Sequence, residues 1–269
     1  MLREWRRRRR LTQLELALEA DVSSRHLSFI ETGRSRPSAE MVLHLADRLD
    51  VPLRARNDLL LAAGYAPAYA ERELDIPEMG PVREAIERVL TRHEPYPALA
   101  FDRHWCLVSA NRALASLVKG AAAHLLEPPV NVLRLSLHPE GVARRIINRE
   151  QWCTHLLERL RRDALVTGDP ALSALHDELA SYSGGERRPP RRSAFDDVAI
   201  PLRVRDGDSE LAFISTRTSF GTALDVTVAE LSIESFFPAD ARTKDAMRAS
   251  ASEFRETAIN RSELCRSRC

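Results

Sequence analysis

The 269-residue sequence predicts an all-α domain of five helices followed by an α+β domain in which helices cover a five-stranded antiparallel sheet. Three observations predict this fold class. Signals for two short helices joined by a tight turn lie within residues 12–37. The apolar pattern then has a helical period up to Gly64. Apolar residues that alternate as in β-strands follow mainly within residues 97–110 and 198–233.

The first recognisable unit is a pair of helices that begin about eleven residues apart. Thr12 can cap the first helix while the Glu15 side chain reaches back to the Thr12 amide, which makes a capping box. Ser23 can cap the second helix with its hydroxyl. Ala17 is small enough to let the second helix cross closely over the first. The pattern therefore predicts two helices with a sharp corner between them.

Two further helices complete the first domain. Ser38 can cap a helix whose apolar residues recur every three or four positions. Pro52 follows it, and a fifth helix is predicted from about Arg54 to Ala63. These helices place a five-helix domain at residues 1–64.

The segment from Thr12 to Pro37 resembles the helix-turn-helix of phage-repressor and Xre-type regulators, and the resemblance covers about residues 2–64. One departure is Asp21, which stands at the corner where the family usually has glycine with a positive φ. Asp tolerates that conformation better than most residues, so only mild strain is expected. Arg6 and Glu31 match a pair that forms a structural salt bridge in repressor folds. The resemblance therefore implies a repressor-like DNA-binding domain.

The resemblance also implies roles for individual side chains. In this family the start of the second motif helix enters the major groove of double-stranded DNA. Arg25 is the strongest candidate, because its guanidinium can donate two hydrogen bonds to guanine, worth about 1–3 kcal/mol of discrimination. Phe29 can offer only apolar contact, for instance to a thymine methyl. The implied base-reading residues are Ser24, Arg25, Ser28 and Phe29, and the implied phosphate-binding residues are Gln13, Thr32, Arg34 and Arg36.

The distribution of charge agrees with this assignment although the total charge of +1 does not suggest nucleic acid. Residues 1–36 carry nine arginines and five acidic residues, a net charge of +4, whereas residues 37–64 have a net charge of −1. Five arginines run from Arg6 to Arg10, but consecutive helical residues point in every direction. Direct phosphate contact from Arg9 or Arg10 is therefore left open.

Residues 65–82 contain three prolines, a glycine and several acidic side chains, a composition that predicts a linker. The second domain begins after it. Its predicted first elements are a helix at Val82–Leu90, strands at Pro97–Phe101 and Trp105–Ala110, and a helix capped by Asn111 that leads to Leu117.

In the rest of the second domain, stretches with a helical pattern come first and stretches with a strand pattern follow. The clearest helical stretches are Val142–Ile147, Gln151–Arg162 and Ala171–Leu179. Alternation from Val198 to Val204, the turn Asp206-Gly207-Asp208 and renewed alternation up to Ser219 predict a β-hairpin. Apolar residues hold one parity at Leu224, Val226 and Val228 and the other at Leu231 and Ile233, which predicts a last strand that either contains a bulge or is buried on both faces.

The C-terminal domain also resembles a known family. Its Pro95-Tyr96-Pro97-Ala98 and Phe101-Asp102-Arg103-His104-Trp105 motifs, with Leu61-Ala62-Ala63-Gly64-Tyr65-Ala66-Pro67 before them, closely resemble the MmyB-like transcription regulators. That resemblance implies an Xre-type domain followed by a PAS-like domain that holds a small apolar or fatty-acyl-like ligand. It places the PAS-like domain at residues 83–240 and leaves residues 241–269 as a frayed or disordered tail.

A ligand cavity between the helices and the sheet would be lined by apolar side chains. His155, beside a tryptophan, is a candidate for orienting a carboxylate. The alternative is that these residues simply form the core, as aromatic residues at such spacing usually do. The candidate pocket residues are Phe101, Trp105, Trp152, His155, Leu156, Phe213 and Ile214.

Nothing in the sequence points to catalysis, a cofactor or a metal. GxSxG, HExxH and phosphate-binding glycine motifs are absent, and the eight histidines are scattered. The four cysteines form no CxxC pair and are expected to be reduced thiols. No stretch approaches about 18 consecutive apolar residues, so we expect no membrane contact and a cytoplasmic protein.

Three functions remain open from the sequence. The first is a homodimeric, sequence-specific transcriptional regulator that responds to a small apolar ligand. The second is a DNA-binding regulator whose C-terminal domain only dimerises or binds a protein partner. The third is an enzyme tethered to DNA, which the missing motifs disfavour.

Overall fold

The computed structural model describes residues 1–182 and 199–250. Its N-terminal domain is the expected bundle of five short helices. They are α1 (Leu2–Arg8), α2 (Gln13–Glu19), α3 (Ser24–Glu31), α4 (Ala39–Arg48) and α5 (Leu53–Ala62).

Local chemistry starts these helices where the sequence predicts. The Thr12 hydroxyl accepts the Glu15 amide, and the Glu15 carboxylate accepts the Thr12 amide, so the capping box is present. The Ser23 and Ser38 hydroxyls cap α3 and α4 in the same way. Asp21 adopts a positive φ of 51° at the corner between α2 and α3, as expected.

One apolar core holds the five helices together. The leucines at its centre are fully buried, and Ala17 and Ala20 let α3 approach α2 closely. The core includes Trp5, Leu16, Leu27, Val42, Leu45, Leu49 and Leu60.

The segment predicted as a linker lies against both domains. The Asn57 side chain on α5 accepts the amides of Ala68 and Tyr69 and donates to the Tyr69 carbonyl. A short 3₁₀ turn at Pro77–Met79 then leads into α6 (Gly80–Arg92), which begins two residues before the predicted start. The segment rich in proline and acidic residues therefore lies between two domains, but it is hydrogen-bonded to α5 and is not a free linker.

The C-terminal domain is built on a five-stranded antiparallel sheet, which confirms the predicted fold class. The strands are β1 (Ala98–Phe101), β2 (Leu107–Ala110), β3 (Leu202–Asp206), β4 (Ser209–Ser219) and β5 (Ser232–Pro238), in the order β2-β1-β5-β4-β3. Gly207, with φ at 59°, makes the tight turn between β3 and β4 that the sequence predicts.

Helices pack on both faces of this sheet. The remaining helices are α7 (Leu114–Val118), α8 (Val132–Leu137), α9 (Arg149–Thr167), α10 (Pro170–Ser181), α11 (Val226–Ala229) and α12 (residues 241–250). On one face Leu99 and Phe101 join the large core beneath α8, α9 and α10. On the other face Ala98 and Ala100 pack under α6. The sequence did not mark this second covered face, because alanines in a strand give no strong signal of burial.

Three predicted elements differ in the structure. The stretch Leu224–Val228 is not a strand, because Asp225 caps the short helix α11 there. Asn111 does not cap a helix; its side chain is buried, accepts the Ala98 amide and donates to the carbonyls of Leu90 and Tyr96. The stretch Val142–Ile147 forms only a 3₁₀ turn at Val142–Arg144.

The C-terminal boundary also differs from the prediction. In α12, Thr243 is buried and its hydroxyl accepts the Ala212 amide of β4, while Met247 joins the large core. The packed domain therefore continues past residue 240. The predicted start of the third strand at Val198 and the rest of the predicted tail, residues 251–269, lie outside the described residues.

Candidate nucleic-acid interface

Helix α3 presents the four predicted base-reading side chains to different extents. Ser24 and Arg25 are exposed, whereas Ser28 and Phe29 are half-buried. Leu27, on the opposite side of the helix, is fully buried in the domain core. The packing of Leu27 therefore fixes which face of α3 is left for a partner.

Arg25 lies over the ring of Phe29. Its guanidinium carbon is 5.4 Å from the ring centroid, at cation–π distance. Phe29 thus offers more than the apolar base contact expected of it, because its ring restricts where the Arg25 side chain can point. A side chain that is already restricted loses less conformational entropy on binding.

Arg6 and Glu31 form the structural salt bridge that the resemblance implied. Arg6 Nε and Nη2 donate to the two carboxylate oxygens of Glu31 at 2.6 and 2.9 Å, and both side chains are almost fully buried. Burial would raise the pKa of Glu31, but the hydrogen bonds from Arg6 and Gln13 and the charge of Arg6 lower it overall. The hydrogen bond to Glu31 in turn raises the pKa of Arg6. This pair ties α1 to the end of α3.

The four predicted phosphate-binding residues differ in whether their side chains already have hydrogen-bond partners. Arg34 is exposed, and its guanidinium has no hydrogen-bond or ion-pair partner among the described residues. The Thr32 hydroxyl donates to the Ser28 carbonyl at 2.7 Å, and Gln13 Nε2 donates to the Glu31 carboxylate at 2.7 Å. Thr32 would have to exchange its bond for a phosphate oxygen, whereas the Gln13 amide has a second hydrogen to donate.

Arg36 has partners within the domain that the sequence did not predict, and its phosphate contact stays a prediction. Its guanidinium donates to the carbonyls of Ala63 and Gly64 at 2.9 and 3.0 Å and lies over the ring of Tyr65. It therefore closes the C-terminal end of α5, where carbonyls lack helical partners. The sequence missed this contact because residues 36 and 64 are far apart along the chain.

The basic run in α1 is also partly structural. Arg9 donates to the carbonyls of Leu49 and Asp50, both at 2.7 Å, at the end of α4. Arg8 lies over Trp5. Arg7 and Arg10 are exposed. Of the five consecutive arginines, these two are the ones most available to a polyanion.

The candidate ligand residues of the C-terminal domain mostly lie inside its core. Phe101, Trp105, Trp152, Leu156 and Phe213 are no more than 3% exposed and belong to one packed cluster. Ile214 is half-buried, and it follows Phe213 on β4, so the two side chains point to opposite faces of the sheet. The structure therefore brings five of the seven residues together and separates Ile214 from them.

Trp105 is the most unusual residue of that cluster. Its φ is 64°, a left-handed conformation that is strained for a bulky side chain. Its ring stacks on Phe101 with centroids 4.5 Å apart, and the guanidinium groups of Arg159 and Arg217 each lie 5.1 Å from its centroid. Its indole Nε1 is buried without a hydrogen-bond partner in the part of the chain that the structure describes.

A polar groove of about 400 Å³ lies beside this cluster. Arg159 donates to Glu234 at 2.8 Å and Arg217 donates to Asp163 at 2.7 Å, so the groove pairs much of its own charge. Burial and then the charge of Arg159 lower the pKa of His155, which favours the neutral imidazole. The groove is lined by His155, Arg159, Arg162, Asp163, Ser215 and Arg217.

A cluster of possible metal ligands was not expected from the sequence. His124, His138 and Glu140 each offer one donor atom within 4.8 Å of the others. His138 Nδ1 already accepts the Glu140 amide at 3.1 Å, and His124 and Glu140 are exposed. The cluster arises where two loops meet, so no spacing in the sequence marks it. Separately, no helix within the described residues has both the length and the apolarity to span a membrane.

Comparison with known proteins gives two family matches. Residues 82–249, more than half of the chain, match the MmyB-like transcription regulator ligand binding domain. Residues 2–55 match a helix-turn-helix family. The chain is also 36% identical over 96 residues to an uncharacterized HTH-type transcriptional regulator, RghRB, of Bacillus subtilis (strain 168). That match covers 35% of this chain and 60% of the relative, less than two thirds of its length.

Proposed function

This chain belongs to the family of MmyB-like transcription regulators, and on that premise we propose that it is a homodimer that reads a specific DNA site and responds to a small apolar or fatty-acyl-like ligand. That it is a DNA-binding transcriptional regulator follows from its two family matches. The dimer, the DNA contacts and the ligand are our proposal. We propose no catalytic activity for the chain, because the family that matches more than half of it is one of transcription regulators.

The observation that carries the proposal is the exposed start of α3. Ser24 and Arg25 are exposed there, and Arg25 has no ion-pair partner among the described residues. An arginine in this position can donate two hydrogen bonds to the O6 and N7 atoms of guanine. We propose that Ser24, Arg25 and Ser28 read bases, that Phe29 supports Arg25, and that Arg34 binds a phosphate.

The proposed dimer follows from how helix-turn-helix proteins use DNA. Two recognition helices enter successive major grooves when they stand about 34 Å apart, one turn of the double helix. One such domain buries little surface on DNA, so a second copy adds both affinity and specificity. A change in the distance or angle between the two domains would then alter DNA affinity.

Trp105 supports a ligand site in the core. An unpaired buried indole N–H costs about 1–3 kcal/mol, which a ligand oxygen within hydrogen-bond reach would offset. The strained backbone at Trp105 is also typical of functional sites. We propose that an apolar ligand enters beside Trp105 and contacts Phe101, Trp152, Leu156 and Phe213.

A second candidate function has one observation in its favour. The five core residues are almost fully buried and belong to one packed hydrophobic cluster. A filled core would suit a C-terminal domain that only dimerises or binds a protein partner. The two candidates agree on DNA binding and differ in whether any small molecule changes it.

Selection from a randomised duplex library tests the proposal. The full-length protein is incubated at physiological salt with and without an organic extract of its source cells, and bound DNA is sequenced. We expect a two-fold-symmetric site whose affinity changes with the extract. A symmetric site that is indifferent to the extract would favour the second candidate, and the absence of any enriched site would refute sequence-specific binding.

A further inference from the structure

Arg54 is a side chain of the N-terminal domain that bonds both to the connecting segment and to the C-terminal domain. It lies on α5, and its Nε and Nη2 donate to the two carboxylate oxygens of Glu230 at 2.9 Å each. Its Nη1 donates to Glu71 of the connecting segment at 2.8 Å. Arg54 and Glu230 are both largely shielded from solvent. A bidentate pair of this kind fixes direction as well as distance.

Glu230 is separated by a single residue from β5, the strand that contacts the proposed ligand site beside Trp105, here called the Trp105 site. It ends α11, and β5 begins at Ser232. The Ser232 hydroxyl accepts a hydrogen bond from Arg217 at 2.9 Å, and Glu234 pairs with Arg159. Both arginines lie over the ring of Trp105. Five consecutive residues, 230–234, therefore touch the N-terminal domain at one end and the neighbours of Trp105 at the other.

The connecting segment is held at the same place. The Val226 amide of α11 donates to the Ala70 carbonyl at 2.8 Å. Ala70 precedes Glu71, and Arg72 donates to Asp225 at 3.0 Å. The connecting segment thus lies between α5 and α11. Arg54 donates to Glu71 of this segment and to Glu230 at the end of α11.

We propose that Arg54 is a positioning residue that sets the orientation of the DNA-binding domain against the C-terminal domain, and that residues 230–234 make this orientation depend on occupancy of the Trp105 site. This inference rests on the proposed function and names how its two sites communicate. A displaced Arg159 or Arg217 shifts β5, and a shift at Glu230 strains the bidentate pair. The DNA-binding domain then moves relative to its partner in the dimer.

The first test uses hydrogen exchange of the full-length protein without DNA. Arg54→Gln and Glu230→Gln should each lower the protection of the Val226 amide by about fivefold, and the double variant should lower it no further. The matched control is Arg134→Gln, which removes a bidentate pair with Glu178 at 2.7 Å that joins α8 to α10. It should leave Val226 protected. Equal protection in wild type and Arg54→Gln, or an equal fall in the control, would overturn the proposal.

The second test measures whether the orientation set by Arg54 determines which spacing of DNA half-sites the protein binds. The wild type and the same variants are used to select duplexes in which the spacing between half-sites varies. Wild type and Arg134→Gln should enrich one spacing, whereas Arg54→Gln and Glu230→Gln should enrich several and lose the response to the cell extract. An unchanged spacing in Arg54→Gln would refute the positioning role. If wild type enriches no site, the proposed function fails, and the exchange experiment still decides whether Arg54 holds the domains together.

Discussion

The two candidate sites of this molecule differ in how their side chains are held. In the DNA-binding domain, Ser24 and Arg25 extend from the surface of a helix whose opposite side is buried through Leu27. In the C-terminal domain, most of the predicted ligand contacts are themselves the core. Phe101 and Phe213, for example, are fully buried. Ser24 and Arg25, the exposed candidates for DNA contact, are therefore separate from the core, whereas most candidate ligand contacts are part of it.

This difference decides what a mutation can reveal. A substitution at the DNA site changes recognition and leaves stability nearly unchanged, because exposed side chains contribute little to folding. A substitution at the ligand site changes stability and recognition together. The following predictions separate the two effects, beginning with the largest.

The largest effect is expected for Phe213→Ala in the absence of ligand. Phe213 is fully buried, and removing such a side chain from a packed core destabilises by about 3–5 kcal/mol. Phe237→Ala, on the same sheet but 44% exposed, serves as the control and should have a much smaller effect. Urea unfolding measures both. Similar, small losses would show that Phe213 lines a cavity that is already open.

Glu31→Ala should destabilise the DNA-binding domain by about 3 kcal/mol, because it leaves the buried Arg6 guanidinium without its partner. Glu4→Ala removes only the exposed partner of Arg8, 3.4 Å away, and should cost less than about 0.5 kcal/mol. Chemical unfolding followed by circular dichroism compares the two. An equal effect would mean that the Arg6 pair does not hold α1 to α3.

Arg25→Ala and Arg34→Ala should weaken DNA binding in different ways. Loss of Arg25 should remove about 1–3 kcal/mol of discrimination at one base pair. Loss of Arg34 should weaken binding to all duplexes and reduce the salt slope by about 0.9 for each subunit, or about 1.8 for the proposed dimer. Titrations of matched and single-mismatch duplexes at several salt concentrations measure both. Identical small effects would refute this division of roles.

The smallest effect concerns acid. The hydrogen bond from Arg134 lowers the pKa of Glu178 to about 2. A lowered pKa means that the stabilisation is present above the unfolded pKa near 4.5 and is lost as the pH falls towards 2. Because the pair is partly exposed, the effect should stay below about 1 kcal/mol. Glu178→Gln should be less stable than wild type at pH 6 and equally stable at pH 2. A constant difference across that range would contradict the assignment.

The sequence predicted much of the DNA-binding domain because its signals are local. The capping box at Thr12, the cap at Ser23 and the corner at Asp21 each involve residues within a few positions of one another. The hydrogen bonds of Arg36 were not predicted because its partners, Ala63 and Gly64, come from a distant part of the chain. The spacing of neighbouring residues does not predict contacts between distant segments of the chain.

The C-terminal domain shows the same limit more strongly. The hairpin at Gly207 was predicted correctly because turn chemistry is local. The stretch from Leu224 to Val228 was read as a strand because the pattern of apolar residues outweighed the capping signal of Asp225. The pairing of Arg54 with Glu230 joins residues 176 positions apart, and no sequence pattern announces it.

The central claim is that α3 reads DNA through Arg25. The most direct test compares the duplexes that wild type and Arg25→Ala enrich from one randomised library at the same salt concentration. We expect wild type to enrich a two-fold-symmetric site with a fixed guanine in each half. Arg25→Ala should enrich a site in which any base can stand at that position. Enrichment of the same site by both proteins would contradict the claim.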